Sequence, residues 1–401
     1  MNLSKELEKY KEELQNELQK ILAYWLKNTI DVENGGFYGR IDNDNKIFKE
    51  AEKGSVLNSR ILWSFSAAYN LTKDPSYLET AERAFIYLRD HFLDKEFGGI
   101  FWSVDYKGNP LDTKKQIYAQ AFAVYGLSEF YISSKNEDAK ELAIQLYEEI
   151  IEHSYEKENG GYIEALTRDW KEIGDLRLSK KDANEKKSMN THLHLLEAFS
   201  NLYRIWTNEK LEERIIELIF IFLNHIIDPE TYHMVLFFDE KWNRKSQIVS
   251  YGHDIEASWL LVEAAAQIKN ASFAEQVKNE SVQLATATTD GLDKDGGLWY
   301  EFNLGKDDLI KEKHWWLQAE VMVGFFNAWQ ISEDENFLQR SLDSWHFIRE
   351  YILDNKHGEW FWGITEDKKV MNEDKVGMWK GPYHNSRACL ELIKRIERIT
   401  S

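Results

Sequence analysis

The stretch SYGHDIEASWLLVEAA (residues 250–265) sets an imidazole and a carboxylate into an otherwise apolar helical run. His253 and Glu256 lie three residues apart and share one helix face. Side chains of this kind are seldom buried without partners. An imidazole titrates near neutral pH, and a carboxylate beside it fixes its tautomer and raises its pKa, so the pair suits proton transfer. Two further stretches carry the same residue types. In SMNTHLHLLEAF (188–199), Asn190, His194 and Glu197 fall on one face, while His192 points the opposite way and reads as a core histidine with a satisfied hydrogen bond. In GPYHNSRACLEL (381–392), His384 precedes a helix whose N-terminal dipole lowers its pKa. Opposite tuning of His253 and His384 would separate a base from an acid. Three histidines and a glutamate could also hold zinc or iron, but there is no HExxH and no supporting pair of histidines one helical turn apart. The expectation is a site without metal or other cofactor. The phosphate-binding glycine motifs and the GxSxG elbow are absent as well. Hydrolysis by a carboxylate pair stays open, because acidic residues are plentiful.

The elements that position these residues repeat. NGGFYGRID (34–42) recurs as FGGIFWSVD (97–105), NGGYIEAL (159–166) and DGGLWYEF (295–302), with degenerate copies at YHMVLFFDEKW (232–242) and HGEWFWGITED (357–367). Aligned on Gly36, Gly99, Gly161, Met234, Gly297 and Gly358, the steps are 63, 62, 73, 63 and 61 residues. Each Gly-Gly turn leads into a short alternating aromatic stretch that predicts a hairpin, and then into two runs of helical period. One run is apolar and the next amphipathic and charged, as at 137–153 and 335–353. The chain opens on one amphipathic helix (about 4–28) and closes on one apolar-type helix (about 384–398). Pairing those two completes a ring of six inner and six outer helices. The expected fold is all-α, an (α/α)6 barrel with short β-hairpins in its loops, spanning residues 1–401 as a single domain. The rival is an open α-solenoid, which has no need for its last helix to match its first. In a closed ring Arg60, Tyr118, His194, His253, Trp316 and His384 all stand in the first turns of inner helices. They would meet at one end, in a concave apolar site with a few convergent polar groups.

Composition narrows the ligand. The 69 acidic and 50 basic residues leave a net charge of −19, which disfavours nucleic acid and anionic lipid. No apolar run is long enough to span a bilayer. Cys389 is the one cysteine, which excludes an intramolecular disulfide and fits a reducing cytoplasm. The first residues, MNLSKELEKYKEELQNELQK, read as a charged amphipathic helix and not as a signal peptide. With 15 tryptophans and 19 tyrosines, most serve the core, but flat amphipathic rings also suit the faces of a neutral sugar.

The blocks LNSRILW (57–63), KSMNTHLHLLEAF (187–199), SYGHDIEASWLL (250–261), KHWWLQAE (313–320) with GFFNA (324–328), and WKGPYHN (379–385) together resemble the cellobiose 2-epimerases of the N-acylglucosamine 2-epimerase superfamily. The resemblance runs in order over essentially the whole chain. It implies an (α/α)6 barrel and cofactor-independent epimerisation at C2 of the reducing-end glucose of β-1,4-linked disaccharides and oligosaccharides, cellobiose giving glucosyl-mannose and lactose giving epilactose. Carried over by motif, the catalytic residues fall on His194, His253, Glu256 and His384. The sugar-contacting positions fall on Arg60, Tyr118, Asp182, Asn190, Trp316 and Trp379. Leu317 stands where a proline or valine is expected, a departure that would touch subsite shape. Two imidazoles would serve opposite faces of an enediolate, with Arg60 and His194 holding its oxyanion. The implied partner is a small disaccharide, with no nucleic acid or membrane, acting on a monomer or weak homodimer. A glycosidase on the same barrel, a sugar-binding protein without turnover and a monosaccharide epimerase are the other readings.

Overall fold

The computed structural model describes residues 3–400. Twelve α-helices stand among them: α1 (Leu3–Asn28), α2 (Ser55–Thr72), α3 (Pro75–Tyr87), α4 (Ile117–Ser134), α5 (Glu137–His153), α6 (Met189–Tyr203), α7 (Glu209–Ile221), α8 (Tyr251–Gln267), α9 (Ala271–Thr288), α10 (Trp315–Ser332), α11 (Glu335–Phe347) and α12 (Tyr383–Thr400). The even-numbered helices pack α2 on α4, α4 on α6, α6 on α8, α8 on α10, α10 on α12 and α12 back on α2. That circuit is the inner ring of an (α/α)6 barrel. The outer helix α1 covers α12, the pairing the repeat pattern requires. No described helix is long and apolar enough to cross a membrane.

The local chemistry explains the alternation. Inner helices are enclosed on every side, and α4 is buried at each residue from Ile117 to Phe130. α2, α4 and α10 stop at left-handed residues, Lys73, Lys135 and Glu333. The next residue, an Asp or Asn, caps the outer helix: Asp74, Asn136 and Asp334 accept from backbone N–H groups of the first turn, as Asn208 and Asn270 do for α7 and α9. Three outer helices, α3, α7 and α11, then end in a single π-helical turn, at Leu88–Phe92, Phe222–Ile226 and Ile348–Ile352.

The loops differ from expectation in one respect. Most of their short strands pair between successive units instead of folding back as hairpins. β1 (Lys53–Gly54) pairs with β2 (Ser103–Val104), which also pairs with β3 (Pro110–Asp112). β4 (Lys115–Gln116) pairs with β5 (Ala165–Leu166), and β6 (Lys187–Ser188) with β7 (Phe237–Phe238). β8 (Ile248–Ser250) pairs with β9 (Glu301–Asn303), which forms a true hairpin with β10 (Asp308–Ile310). β11 (Lys313–His314) pairs with β12 (Gly363–Ile364). A reciprocal backbone bridge between Ile41 and Val376 closes this collar. Apart from β3 and β10, each strand leads directly into an inner helix or braces one that does, so the collar fixes the first turns of those helices.

The bridges also correct the repeat register. Phe37, Ile100, Tyr162, Met234, Leu298 and Trp360 are equivalent, pairing with Ile30, Leu93, Tyr155, Ile227, Leu292 and Leu353. The position of Gly36, Gly99, Gly161 and Gly297 is therefore taken by His233 in the fourth unit and Glu359 in the sixth; Met234 and Gly358 are each one residue off. A Cβ at Gly36 would lie 2.7 Å from the Tyr87 ring, and one at Gly99 2.6 Å from Trp170, so an aromatic side chain fills that space. Beneath the turns, buried lysines clamp acidic residues: Lys53 to Asp31 (2.8 Å), Lys115 to Asp94 (3.0 Å), Lys187 to Glu156 (3.4 Å), Lys313 to Asp293 (2.6 Å) and Lys375 to Asp354 (2.5 Å). The fourth unit carries Val249 at the position of the lysine.

Candidate active site

At the collar end of the barrel three histidines enter from α6, α8 and α12, each held through Nδ1. His194 Nδ1 donates to Glu197 Oε2 at 3.1 Å, and His384 Nδ1 donates to Glu320 Oε1 at 2.7 Å. His253 Nδ1 meets Ser250 Oγ at 2.7 Å. Nε2 of each ring has no protein hydrogen-bond partner among the described residues. Since the carboxylates accept the Nδ1 protons, His194 and His384 in their neutral forms present a basic Nε2. Burial is the leading cause that pushes all three imidazoles down. His253 falls to about 3, His194 opposing its charge and Glu320 favouring it; burial, with Arg60, Arg387 and His194, puts His384 well below its ordinary value. His194 is lowered too, although Glu197 pulls it upward.

Beneath the histidines lies a buried charge network centred on Arg387. Its Nη2 donates to Glu256 Oε1 at 2.5 Å and to Glu320 Oε1 at 2.6 Å, and its Nη1 bonds Glu197 and the Tyr383 hydroxyl. Tyr383 in turn donates to Glu197 at 2.5 Å. One guanidinium thus faces three carboxylates. Burial pushes Glu197 up, but Arg387 and His194 more than cancel it and leave that group at about 2. Glu256 goes the other way: burial and the Glu320 charge raise it to about 8 against the pull of Arg387. Its Oε2 has no partner among the described residues.

The sugar-contacting candidates surround this cluster. Arg60 Nη1 donates to the Trp379 carbonyl at 2.7 Å and Nη2 to the Tyr118 hydroxyl at 2.9 Å, and the guanidinium lies over the Phe122 ring at 4.5 Å. Tyr118 stands edge-on to His194 at 5.0 Å. Trp316 is partly exposed, its ring 4.7 Å from His253 and 5.7 Å from His384. Trp379, also partly exposed, lies 5.7 Å from Trp102. Asp182 and Asn190 line one small cavity with Glu164, Arg177 and Phe237, and Asn190 Oδ1 has no protein partner among the described residues. The structure therefore gathers all ten candidates at one end of the barrel.

Two expectations need correction. Glu256 does not orient His253; Ser250 does, while Glu256 binds Arg387 and lies 4.0 Å from His384 Nδ1. Its carboxyl therefore gives His253 no upward shift, and His253 and His384 are both lowered instead of being tuned in opposite directions. Leu317 is fully buried against α8, where a Cβ on Gly252 would lie 2.6 Å from its own. His192 behaves as a core histidine, giving its Nδ1 proton to the Ser188 carbonyl and accepting from Tyr162 N at Nε2. The residues that were missed are Glu320, Arg387, Tyr383 and Ser250. A charge in the first two turns of an apolar inner helix had drawn attention to Glu256, and the same signal marks Glu320 and Arg387.

Among the described residues, Glu256, Glu320 and His384 offer ligand atoms within 4.8 Å of one another, the one grouping close enough for a metal ion. Arg387 already bridges both carboxylates, and the Glu320 oxygen it holds also binds His384. A divalent ion at that point would face a buried guanidinium, so the donor set does not fit one.

The model of the N-acylglucosamine 2-epimerase (GlcNAc 2-epimerase) family matches residues 36–388, from the first Gly-Gly turn to the first turns of α12. The chain belongs to this family. Within the N-acylglucosamine 2-epimerase family it is 49% identical over 385 residues to the cellobiose 2-epimerase of Bacteroides fragilis, covering 96% of this chain and 98% of the relative. Identity to the D-mannose isomerase of Marinomonas mediterranea is 23% over 401 residues, with 96% and 97% of the two chains covered. The solved cellobiose 2-epimerase of Spirochaeta thermophila superposes with a TM-score of 0.94 at 36% identity, over 100% of both chains.

Proposed function

We propose that this protein is a cellobiose 2-epimerase that inverts C2 of the reducing-end glucose of β-1,4-linked disaccharides, turning cellobiose into glucosyl-mannose and lactose into epilactose. The observation that carries the reading is the pair of imidazoles flanking Trp316, His253 and His384, each anchored at Nδ1 with Nε2 free. The 49% identity to a cellobiose 2-epimerase supports the choice of substrate over a monosaccharide.

The sugar ring must first open to the aldehyde. One imidazole then takes the C2 proton, an enediolate forms, and a proton returns to C2 on the opposite face. Neutral imidazoles suit the first transfer, because burial keeps them unprotonated and ready to accept. The negative charge develops beside Arg60, whose position is fixed by Tyr118 and the Trp379 carbonyl before substrate arrives. Glu256, raised by burial and by the Glu320 charge, shares Arg387 with Glu320, the carboxylate that holds the Nδ1 proton of His384 and so keeps its Nε2 basic. Trp316 and Trp379 offer the faces on which two sugar rings stack. The chemistry needs no metal or nicotinamide. Cys389, buried and unpaired, is compatible with a reducing cytoplasm, and we assign the enzyme there as a monomer or weak homodimer forming a single catalytic domain.

Cellobiose incubated with the enzyme in deuterated water tests the reading. Proton NMR should show glucosyl-mannose with deuterium at C2 and no released glucose. Free glucose would instead identify a glycosidase, and product without solvent deuterium would refute proton exchange through the imidazoles.

A further inference from the structure

The fourth unit of the barrel departs from its neighbours in two ways, and both departures meet behind His253. In the second, third and fifth units the fourth residue of the inner helix is a neutral group bound to the Gly-Gly turn. Gln120 accepts from Ile100 N at 2.8 Å, His192 from Tyr162 N at 3.0 Å and Gln318 from Leu298 N at 2.9 Å. In the fourth unit that residue is Asp254, a wholly buried carboxylate that accepts from Met234 N at 2.9 Å. The fixed lysine is missing from this unit. The cation beside Asp254 is His233, which replaces the second glycine and binds Asp254 Oδ2 through Nδ1 at 2.8 Å.

The contact bears on the one helical turn that carries His253. On its outer side Tyr251 packs edge-on to His233 at 5.7 Å and against Gly291, where a Cβ would fall 2.3 Å from its ring. On its inner side Gly252 lies against Trp316 and Leu317, and His253 against Trp316. The turn is wedged between α10 and the His233–Asp254 pair, so a change at the pair is passed to the His253 ring.

We infer that His233 is a positioning residue for His253: its ion pair with Asp254 sets the first turn of α8 and makes the orientation of His253 depend on pH. The inference rests on the proposed epimerase activity. The charged and titratable groups facing His233 are Asp254 and Tyr251 from α8 and Asp290 from the turn after α9, whose Oδ2 is 3.6 Å from Nε2. On its own loop, Asp228 is already paired with Arg244. Burial lowers His233, but Asp254 and Asp290 outweigh it and leave the imidazole above its ordinary 6.5. A raised folded-state pKa means His233 carries its charge below 6.5 and loses it as pH climbs through the raised value, while burial raises Asp254 and sets the acid limit of the pair. Above that value Asp254 stays buried with no counter-charge.

The test uses the full-length enzyme with cellobiose between pH 5 and 9, comparing wild type, His233→Gln, His233→Lys and Asp254→Asn. In wild type the His233 Cε1–H resonance should titrate above 6.5, and Asp254→Asn should lower that midpoint. His233→Gln should cut kcat about tenfold, short of the ~10²-fold that an ångström of misplacement costs, with KM unchanged. His233→Lys, charged throughout the range, should restore kcat and remove the alkaline decline in kcat that His233 causes. Wild-type kcat and an unaltered pH profile in His233→Gln would overturn the positioning role alone, and so would a His233 midpoint at or below 6.5. Absence of turnover in the wild-type enzyme would overturn the activity and the inference together. Should Asp254→Asn fail to fold, the two His233 variants decide the matter.

Discussion

Removing Arg387 should destabilise the barrel in a way that identifies the charge network as its cause. Arg387→Met keeps much of the side-chain volume and deletes the one guanidinium that faces Glu197, Glu256 and Glu320. Glu197 stands at about 2 instead of 4.5, a depression of about 2.5 pH units that Arg387 and His194 maintain against burial. At ~1.4 kcal/mol per unit, losing that depression costs about 3 kcal/mol at neutral pH. The figure falls within the ~3–5 kcal/mol expected when one partner of a buried ion pair is removed. The sign with pH follows from the same groups. A carboxylate with a depressed folded pKa contributes stability above its unfolded pKa and loses it as pH falls. Without Arg387 burial dominates, the remaining carboxyls titrate upward, and each costs stability as pH rises toward its new value. The penalty should therefore be larger at pH 8 than at pH 4, by at least about 1 kcal/mol. Urea unfolding of wild type and variant at both pH values measures it directly. A penalty below about 1 kcal/mol, or one equal at the two pH values, would refute the assignment of Arg387 as the counter-charge.

The other expectations concern the proton carriers. His253→Asn and His384→Asn should each lower epimerisation by ~10²–10⁴-fold, the loss typical of a missing general acid or base, and the variant that keeps the base facing the glucose epimer should still wash deuterium into recovered cellobiose. Full activity in both variants would sink the two-imidazole scheme. Glu256→Gln mimics the protonated carboxyl, so the fold should gain on the alkaline side. The raised Glu256 pKa makes wild type lose stability between its ordinary 4.5 and about 8, and glutamine removes that loss. Thermal unfolding of both proteins at pH 6 and pH 9 should show the difference between them widening at pH 9; parallel behaviour would contradict a protonated Glu256.

The architecture was legible because the signals that build it are local and repeated. Gly-Gly turns, apolar runs and Asp or Asn caps recur at nearly constant spacing, and one unpaired helix at each end requires a closed ring. The collar was not legible, because strands of two or three residues that pair with the next unit leave no alternating pattern. Nor was the register at His233 and Glu359, where residues larger than glycine take the glycine's place. In the site, each residue on its own face was found, as for His194 with Asn190 and Glu197. Partnerships across the barrel were not: His384 with Glu320 spans 64 positions and Arg387 with Glu256 spans 131. Spacing along one helix says nothing about which of six helices faces it. His253 and Glu256 share a face, yet α12 reaches Glu256 with Arg387 before His253 can, and Ser250 takes its place.

The closure of the ring by α1 and α12 has a consequence for how the chain folds. Each helical hairpin, each capping turn and each lysine clamp joins residues a few dozen positions apart, so these parts can form as the chain emerges. α1 and the seam of α12 on α2 are the exceptions. Tyr10 bonds Ser341, Trp25 bonds Glu359, Glu17 accepts from Trp360 and Glu13 from Trp345, all across more than 330 positions. The first helix to be synthesised therefore finds its place only after nearly the whole polypeptide exists, and its apolar stripe waits uncovered until then. Contacts of such separation carry the largest loop-closure entropy in the molecule and are formed late. Docking α12 on α2 and seating α1 over it is thus the step that turns an open, extensible stack of hairpins into a barrel, and the slowest phase of refolding should be the one that quenches Trp25 and Trp345 together.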